Sequence, residues 1–378
     1  MKRREFLRLG AVAAALPAAR AFGSGEEAGG EMPPWAGPKM AEAVARFKAW
    51  KGKDEVVSFT FVTDVHSYLT EISPKPLFSN SRYHVLFVQT VADMAECDFL
   101  VDGGDHDYDN GRPSPEEALK RMAVTKHVYE GYKAKPVLFC LGNHDHGSFP
   151  PDRKSPRPIS SELFGDTFNG LAEKHGFKLV FGENRSWGYY DVPGKKFRAI
   201  FCNTSDDGYY GFSVSQLDFI KNALHSMPED WTGAAFGHFC VFSEIGHWKS
   251  FGSTEAKRRA EFMSVLEGFV KERPNSFAGY FCGDSHFDNE MEWRGVNWTI
   301  FQGYGGVGRA SKPWGARTVP FSRAKDMLFD IVAVKPSVGE FKIFRVGAGG
   351  PACDRLCVYH NSFPKPGQPQ AAKKPPKA

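Results

Sequence analysis

Five short segments of the sequence carry metal-binding side chains directly after an apolar run. They are Asp64-Val65-His66, Gly104-Asp105, Gly142-Asn143-His144-Asp145, Gly237-His238 and Gly283-Asp284-Ser285-His286. Carboxylate, amide and imidazole groups suit hard or borderline metal ions, whereas thiolates select softer ones. A single strand-end histidine is usually structural. Five such segments in order, four of them with a glycine that permits close backbone approach, indicate a metal site.

The spacing of these residues predicts phosphate-ester chemistry. Asp64 and His66 are two positions apart, so in an extended strand both side chains point to one face and can reach one ion. Two ions about 3.5–4 Å apart can bridge a hydroxide and hold phosphoryl oxygens during in-line displacement. The residues therefore predict a two-metal site that hydrolyses phosphate esters.

These segments require strands that end at one edge of the fold. Buried-strand patterns predict strands at Val56–Thr63, Phe99–Asp102, Val137–Leu141, Ala234–Phe239 and Phe277–Cys282. Helices are predicted at His84–Glu96 and after the capping boxes that begin at Ser114 and Ser213. Hairpins are predicted at Lys178–Thr204 and Asp326–Arg345. This alternation predicts an α/β domain with mixed sheets and functional groups at the C-terminal ends of its strands.

The ordered segments resemble the motif series of the calcineurin-like metallophosphoesterases, which is DxH, GDxxD/N, GNHD/E, GH and GHxH. The resemblance covers roughly residues 55–310. It implies an α/β fold of the four-layer α/β/β/α sandwich type with two mixed β-sheets. It also implies a metal-dependent phosphoric ester hydrolase, in which a hydroxide that bridges two metals attacks phosphorus.

The resemblance assigns seven metal ligands and two catalytic residues. The ligands are Asp64, His66 and His286 for the first ion, Asp105 as the bridge, and Asn143, His238 and Asp284 for the second. His144 would face the phosphoryl group and protonate the leaving oxygen or stabilise the transition state, and Asp145 would orient its ring. The two ions would be divalent or of mixed valence, such as Mn, Fe, Zn or Mg.

Two positions depart from the family pattern. Asp284 replaces the usual histidine of the last motif; it can still bind a metal, or it supports the site while the second ion is held weakly. Tyr108 gives a GDxxY block like that of purple acid phosphatases, where the tyrosine binds ferric iron, although His66 and the GNHD block do not match those enzymes. The alternative is that Tyr108 packs beside the site.

Four further residues follow or flank the motifs and are candidates to face the substrate. They are His106, His146, His247 and Arg309. The alternative for each is a solvated loop residue. Cys353 and Cys357 could form a disulfide, but a CxxxC spacing alone is weak evidence for one.

The chain ends predict export and disorder rather than fold. Residues 1–21 contain the pair Arg3-Arg4, a short apolar run and the small-x-small pattern Ala19-Arg20-Ala21, which together resemble a twin-arginine export signal. Residues 22–52 are predicted as a linker and lead-in, 53–362 as the catalytic domain and 363–378 as a disordered Pro/Lys-rich tail. Cleavage near Ala21 would place the protein outside the cytoplasm, in the periplasm or secreted.

The charge distribution excludes a broad nucleic-acid-binding face. Residues 1–21 and 363–378 each carry a net charge of +4, which leaves −4 for the body of a chain whose total is +4. No apolar run reaches the roughly 18 residues that a stable membrane anchor needs.

The expected partners are therefore a phosphate-ester substrate and the twin-arginine export machinery. The competing hypothesis is a non-catalytic relative that keeps the fold and acts as an exported metal-binding protein.

Overall fold

Thirteen strands form two sheets in the part of the chain that the structure describes. The structure is a computed structural model and describes residues 33–66, 80–106, 108, 113–147, 157–206, 211–241, 253–303, 317–319 and 326–359. The strands are β1 Val57–Val62, β2 Phe99–Asp102, β3 Val137–Phe139, β4 Leu179–Phe181, β5 Gly188–Asp191, β6 Phe197–Phe201, β7 Thr232–Phe236, β8 Phe277–Cys282, β9 Asn289–Trp293, β10 Val296–Ile300, β11 Leu328–Lys335, β12 Glu340–Gly347 and β13 Arg355–Val358.

Helices flank these strands. They are α1 Ala36–Lys51, α2 Asn80–Met94, α3 Pro115–Glu130, α4 Ser161–Thr167, α5 Asn169–Lys174, α6 Val214–His225 and α7 Ser253–Glu272, with short 3₁₀ helices at Asn143–His146 and Gly350–Cys353. The predicted N-caps are confirmed, because the Ser114 and Ser213 hydroxyls accept hydrogen bonds from the third following backbone N–H at the starts of α3 and α6. The second capping box is not completed, since the Gln216 side chain bonds instead to the backbone of Asn203. No helix among the described residues has the length and apolar character needed to cross a membrane.

The two sheets are mixed and stack face to face. The first has the strand order β13-β12-β11-β1-β2-β3 and the second has the order β4-β5-β6-β7-β8-β10-β9. Neighbours β1, β2 and β3 run parallel, as do β6, β7, β8 and β10, so the C-terminal ends of each parallel set share one edge. The remaining neighbours are antiparallel.

Alternation along the strands sends side chains into separate hydrophobic cores. Phe59 and Phe61 of β1 belong to the core between the sheets, whereas Val62 belongs to the core beneath α1, α2 and α3. A third core lies between the second sheet and helices α6 and α7. The predicted four-layer α/β/β/α sandwich is therefore confirmed.

Phe59 packs against three aromatic rings between the sheets. Its ring is fully buried and lies 4.9 Å from Phe99, 5.1 Å from Phe236 and 5.8 Å from Phe281, measured between ring centroids. We expect Phe59→Ala to lower the free energy of unfolding by about 3–5 kcal/mol in denaturant titrations. The half-buried Phe219 is the matched control, and equal losses in both variants would contradict the expectation.

A helix precedes the first strand. Part of the segment predicted as linker and lead-in forms α1, which begins at Ala36 and packs on the first sheet. Phe47 contacts the ring of Phe344, and Lys39 pairs with Asp326 at 2.7 Å. The predicted signal peptide at 1–21 and the tail at 363–378 lie outside the described residues.

Candidate metal centre

All five predicted segments meet at one edge of the two sheets. Each follows the C-terminal end of a parallel strand, at β1, β2 and β3 in the first sheet and at β7 and β8 in the second. The face-to-face stacking of the sheets places these five strand ends together. The seven predicted ligands then form two neighbouring groups around Asp64 and His238.

The first group consists of Asp64, His66 and His286. His286 Nε2 lies 3.3 Å from Asp64 Oδ1 and 3.4 Å from His66 Nε2. His66 Nε2 lies 4.0 Å from the same carboxylate oxygen, and the two imidazole rings are nearly parallel. One ion could contact these three atoms at once, as the sequence predicted.

The second group surrounds His238. Its Nε2 lies 3.1 Å from Asn143 Oδ1, 3.3 Å from Asp105 Oδ1 and 3.8 Å from Asp284 Oδ1. His238 Nδ1 lies 2.6 Å from the Gly103 carbonyl oxygen, to which it can donate a hydrogen bond. In that tautomer Nε2 carries no proton, and its lone pair faces the oxygen atoms of Asn143, Asp105 and Asp284. A proton or a cation must then lie between these atoms.

The buried carboxylates make this edge strongly anionic. Asp64, Asp105 and Asp284 are each exposed by 7% or less. Burial, together with Asp64 and Asp105, raises the pKa of Asp284 to about 8 even though His238 acts in the opposite direction. Asp284 Oδ2 is buried and accepts no hydrogen bond from the residues that the structure describes. Cations bound here would supply the missing positive charge, so the residues fit two metal ions.

Asp64 is shared between the two groups. It lies within reach of His66 and His286 on one side and of Asp105 and His238 on the other. Asp105 belongs to the second of these groups, so its assignment as the bridge between both ions stays a prediction.

Five of the seven ligands have a left-handed backbone, which corrects the local geometry expected from the sequence. The positive φ angles belong to Asp64, His66, Asp105, Asp284 and His286. The Asp64-to-His66 segment therefore lies beyond the end of β1 rather than within an extended strand. Such a conformation costs about 1–3 kcal/mol for each non-glycine residue and persists only where the surroundings fix it.

Glycines allow the motifs to approach one another. A Cβ atom at Gly142 would lie 2.3 Å from the Asp105 backbone nitrogen, and one at Gly283 would lie 2.0 Å from Thr63 Oγ1. Thr63 Oγ1 donates a hydrogen bond of 2.8 Å to Asp64 Oδ2, and the backbone N–H of Asp284 donates to the same oxygen at 3.1 Å. Sequence reasoning missed the role of Thr63, although it directly precedes the first motif.

His144 lies beside the first group, and its predicted role toward the phosphoryl group stays a prediction. Its ring centroid is 5.4 Å from that of His66, and its backbone N–H donates to Asp105 Oδ1 at 2.9 Å. Asp145 is fully buried and accepts hydrogen bonds from three backbone N–H groups, those of Asp105, His106 and Gly142. The hydrogen bonds described for Asp145 therefore join the second and third motifs, while its predicted contact with the His144 ring stays a prediction.

Two candidates for substrate contact are instead buried. His106 is fully enclosed, with Nε2 3.1 Å from Asp102 Oδ1; burial by itself would lower its pKa, but Asp102 raises it to about 9. His146 contacts the Ile159 carbonyl oxygen and the Arg157 guanidinium, and burial lowers its pKa to about 3. Their loops fold inward, which the sequence did not reveal. His247 and Arg309 lie outside the described residues.

Tyr108 and the cysteines follow the structural alternatives. Tyr108 is 1% exposed in the core beneath α3, with its ring stacked on His106. Burial raises its pKa well above the usual value, which opposes the tyrosinate that iron ligation needs. Cys353 and Cys357 are both free thiols rather than a disulfide.

We expect Asp284 to determine how tightly the second ion binds. Asp284→Asn removes a negative charge 3.8 Å from His238 Nε2 and should weaken that ion about 10–100-fold. Asp284→His, which restores the family motif, should keep two ions per chain. Metal content after dialysis measures both variants, with the exposed Glu292→Gln as control. Undiminished affinity in Asp284→Asn would show that this carboxylate is no ligand.

Comparison with known proteins identifies the family. The calcineurin-like phosphoesterase family matches residues 57–288, which is more than half of the chain. A dimetal phosphatase from Danio rerio is similar in fold, with 14% identity, a TM-score of 0.54, and coverage of 81% of this chain and 100% of that one. A purple acid phosphatase from yellow lupin (Lupinus luteus) gives 15% identity and a TM-score of 0.48 over 81% of this chain and 53% of that one.

No curated protein sequence matches the chain. The family match spans all five motif segments, from the strand before Asp64 to the residues after His286. The chain therefore belongs to the calcineurin-like phosphoesterase family and is a metal-dependent phosphoesterase.

Proposed function

We propose that the protein is an exported two-metal hydrolase of phosphate mono- or diesters. The observation that carries the proposal is the pair of ligand groups that share Asp64, with His144 beside them. Two ions held there would activate a water molecule and draw charge from the phosphoryl oxygens. The identity of the ions stays open among Mn, Fe, Zn and Mg.

The chain's own residues supply positioning and a proton. Asp105, Asn143 and His238 are buried and held by hydrogen bonds, so the ligand atoms are preorganised before substrate arrives. His144 is half-buried at the same edge, which leaves its imidazole able to reach a bound ester. A proton from this ring to the leaving-group oxygen would complete the cleavage.

Hydrolysis of generic aryl esters tests the proposal. Protein loaded with manganese or iron should hydrolyse p-nitrophenyl phosphate, bis(p-nitrophenyl) phosphate or both, and a chelator should abolish the activity until metal is returned. A folded sample with two ions per chain that hydrolysed neither ester would contradict the proposal. A sample with one ion or none, and no activity, would favour the alternative of an exported metal-binding protein, which the Asp284 substitution motivates.

Export is proposed from the sequence of residues 1–21. The twin-arginine machinery carries folded proteins, which suits an enzyme that acquires its metals in the cytoplasm. Replacing Arg3 and Arg4 by lysine should retain the protein in the cytoplasm of a bacterial host, as cell fractionation would show. Unchanged export of this variant would argue for the general secretory route instead.

A further inference from the structure

A buried group of charged side chains joins the two sheets next to the metal-bearing edge. Its members are Asp288, Glu290, Asp330, Arg345 and Arg355. Apart from Glu290, each is exposed by 7% or less. Buried charges are tolerated only when they are paired, and the removal of one partner leaves the other uncompensated. This group, here called the buried ion cluster, therefore fixes the relative position of the segments that carry it.

Asp288 is the centre of the buried ion cluster. Arg345 Nη2 donates to both of its carboxylate oxygens, at 2.8 and 2.9 Å, and Arg355 Nη1 lies 2.9 Å from Oδ1. The backbone N–H of Gln302 donates to Oδ1 at 3.0 Å. Arg345 belongs to β12 of the first sheet, where it also pairs with Asp330 at 2.9 Å, whereas Asp288 follows β8 of the second sheet. The Asp288 carboxylate thus links its own segment to the first sheet.

The two segments that Asp288 fixes are those that pack against Asp64. His286 lies two residues before Asp288, and its Nε2 is 3.3 Å from Asp64 Oδ1. Gly303 directly follows Gln302, and a Cβ atom there would lie 2.3 Å from Asp64 Cβ. Because His286 has a left-handed backbone, with a φ of 55°, its segment needs such an external restraint.

Most ligands assigned to the second ion lie on other segments. Asn143 belongs to a 3₁₀ helix after β3, and the Nδ1 of His238 after β7 lies 2.6 Å from the Gly103 carbonyl oxygen. Asp284 shares the segment of His286 but lies four residues from Asp288, whereas His286 lies two residues from it. We therefore expect a loosened cluster to weaken the first metal site more than the second.

We propose that Arg345 is a positioning residue for the first metal site. By fixing Asp288, it holds His286 at the separation from Asp64 and His66 that one shared ion requires. The inference rests on the two-metal centre of the proposed function. Arg345 lies 57 positions from Asp288 in the chain and on the opposite sheet. The inference makes it one of the residues that determine the geometry of that centre.

Stepwise metal titration of Arg345→Lys tests the proposal. Lysine keeps the positive charge but cannot reproduce the planar, multiply donating guanidinium. Manganese titrated into metal-free protein should bind the first site about 10–100-fold more weakly, while the second site, which has Asp284 on the same segment, should lose less affinity. Asp288→Glu, which keeps the charge and shifts the carboxylate by one methylene, should show the same selective loss if Arg345→Lys does not fold.

Arg198→Lys is the matched control. Arg198 is also buried and binds Asp191 through two hydrogen bonds of 2.6 and 2.8 Å, but it lies near the start of β6, away from the metal-bearing edge. This variant should be less stable and keep both metal affinities. Unchanged binding at the first site in Arg345→Lys and Asp288→Glu, or an equal loss at both sites, would overturn the inference. Wild-type protein that binds two ions but hydrolyses no ester would overturn the proposed function alone.

Discussion

Asp105→Asn should lower kcat by about 10³-fold or more at saturating metal. Asp105 Oδ1 lies 3.3 Å from His238 Nε2 and accepts a hydrogen bond of 2.9 Å from the backbone N–H of His144. One carboxylate therefore contacts both His238 and the 3₁₀ helix that carries His144. Asparagine has nearly the same shape but lacks the negative charge. Metal-assisted stabilisation of the transition state is worth several kcal/mol, and each 1.36 kcal/mol corresponds to a factor of ten in rate.

The control for this variant is Asp218→Asn, which removes an exposed carboxylate from α6. Its activity should equal that of the wild type. Steady-state kinetics on p-nitrophenyl phosphate, together with metal content and circular dichroism, separate a loss of chemistry from a loss of fold. If Asp105→Asn kept more than a tenth of the wild-type rate with two ions bound, the assignment of Asp105 as a ligand would be wrong.

His144→Gln should lower kcat by about 10²–10⁴-fold while both ions remain bound. The ring of His144 lies beside His66 rather than within either ligand group, so its removal should leave the metal affinities intact. A positioned general acid contributes a factor of this size. Metal content and kcat measured on the same samples would show this separation, with the exposed His225→Gln as the control.

The choice of ester distinguishes the two roles predicted for His144. If its ring protonates the leaving oxygen, the loss should be much larger for phenyl phosphate than for p-nitrophenyl phosphate, because nitrophenolate leaves readily without a proton. If the ring instead stabilises charge on the phosphoryl oxygens, both esters should lose activity equally. A variant that lost its metals together with its activity would show that His144 supports the site structurally.

The motif residues could be identified from the sequence because their signals are local. An apolar strand pattern, a following glycine and a ligand side chain occupy ten consecutive positions or fewer, as in the segment that ends at His286. The five predicted strands and the capped starts of α3 and α6 are confirmed for the same reason. The four-layer fold was implied by the resemblance of the ordered motifs to the calcineurin-like family, which matches residues 57–288.

Some local inferences stayed open or were wrong because burial is decided by residues that are distant in the chain. His106 follows a motif and looks like a loop residue, but it is fully buried, with its ring stacked on that of Phe168. Tyr108 completes a GDxxY block, and its burial in the core beneath α3 favours packing over iron ligation. The described hydrogen bonds of the Asp145 carboxylate come from backbone N–H groups of the second and third motifs, and its contact with the His144 ring stays a prediction.

The sequence alone predicts which side chains bear the chemistry and the order of the strands that carry them. The grouping of those side chains depends on the tertiary fold, because His66 and His286 are 220 residues apart and meet through the stacking of two sheets. The tertiary fold also decided the left-handed backbone at five ligands and the restraint that Arg345 places on Asp288. Pairing between buried charges has no periodic signature in the sequence, since each partner is selected by the packed fold around it.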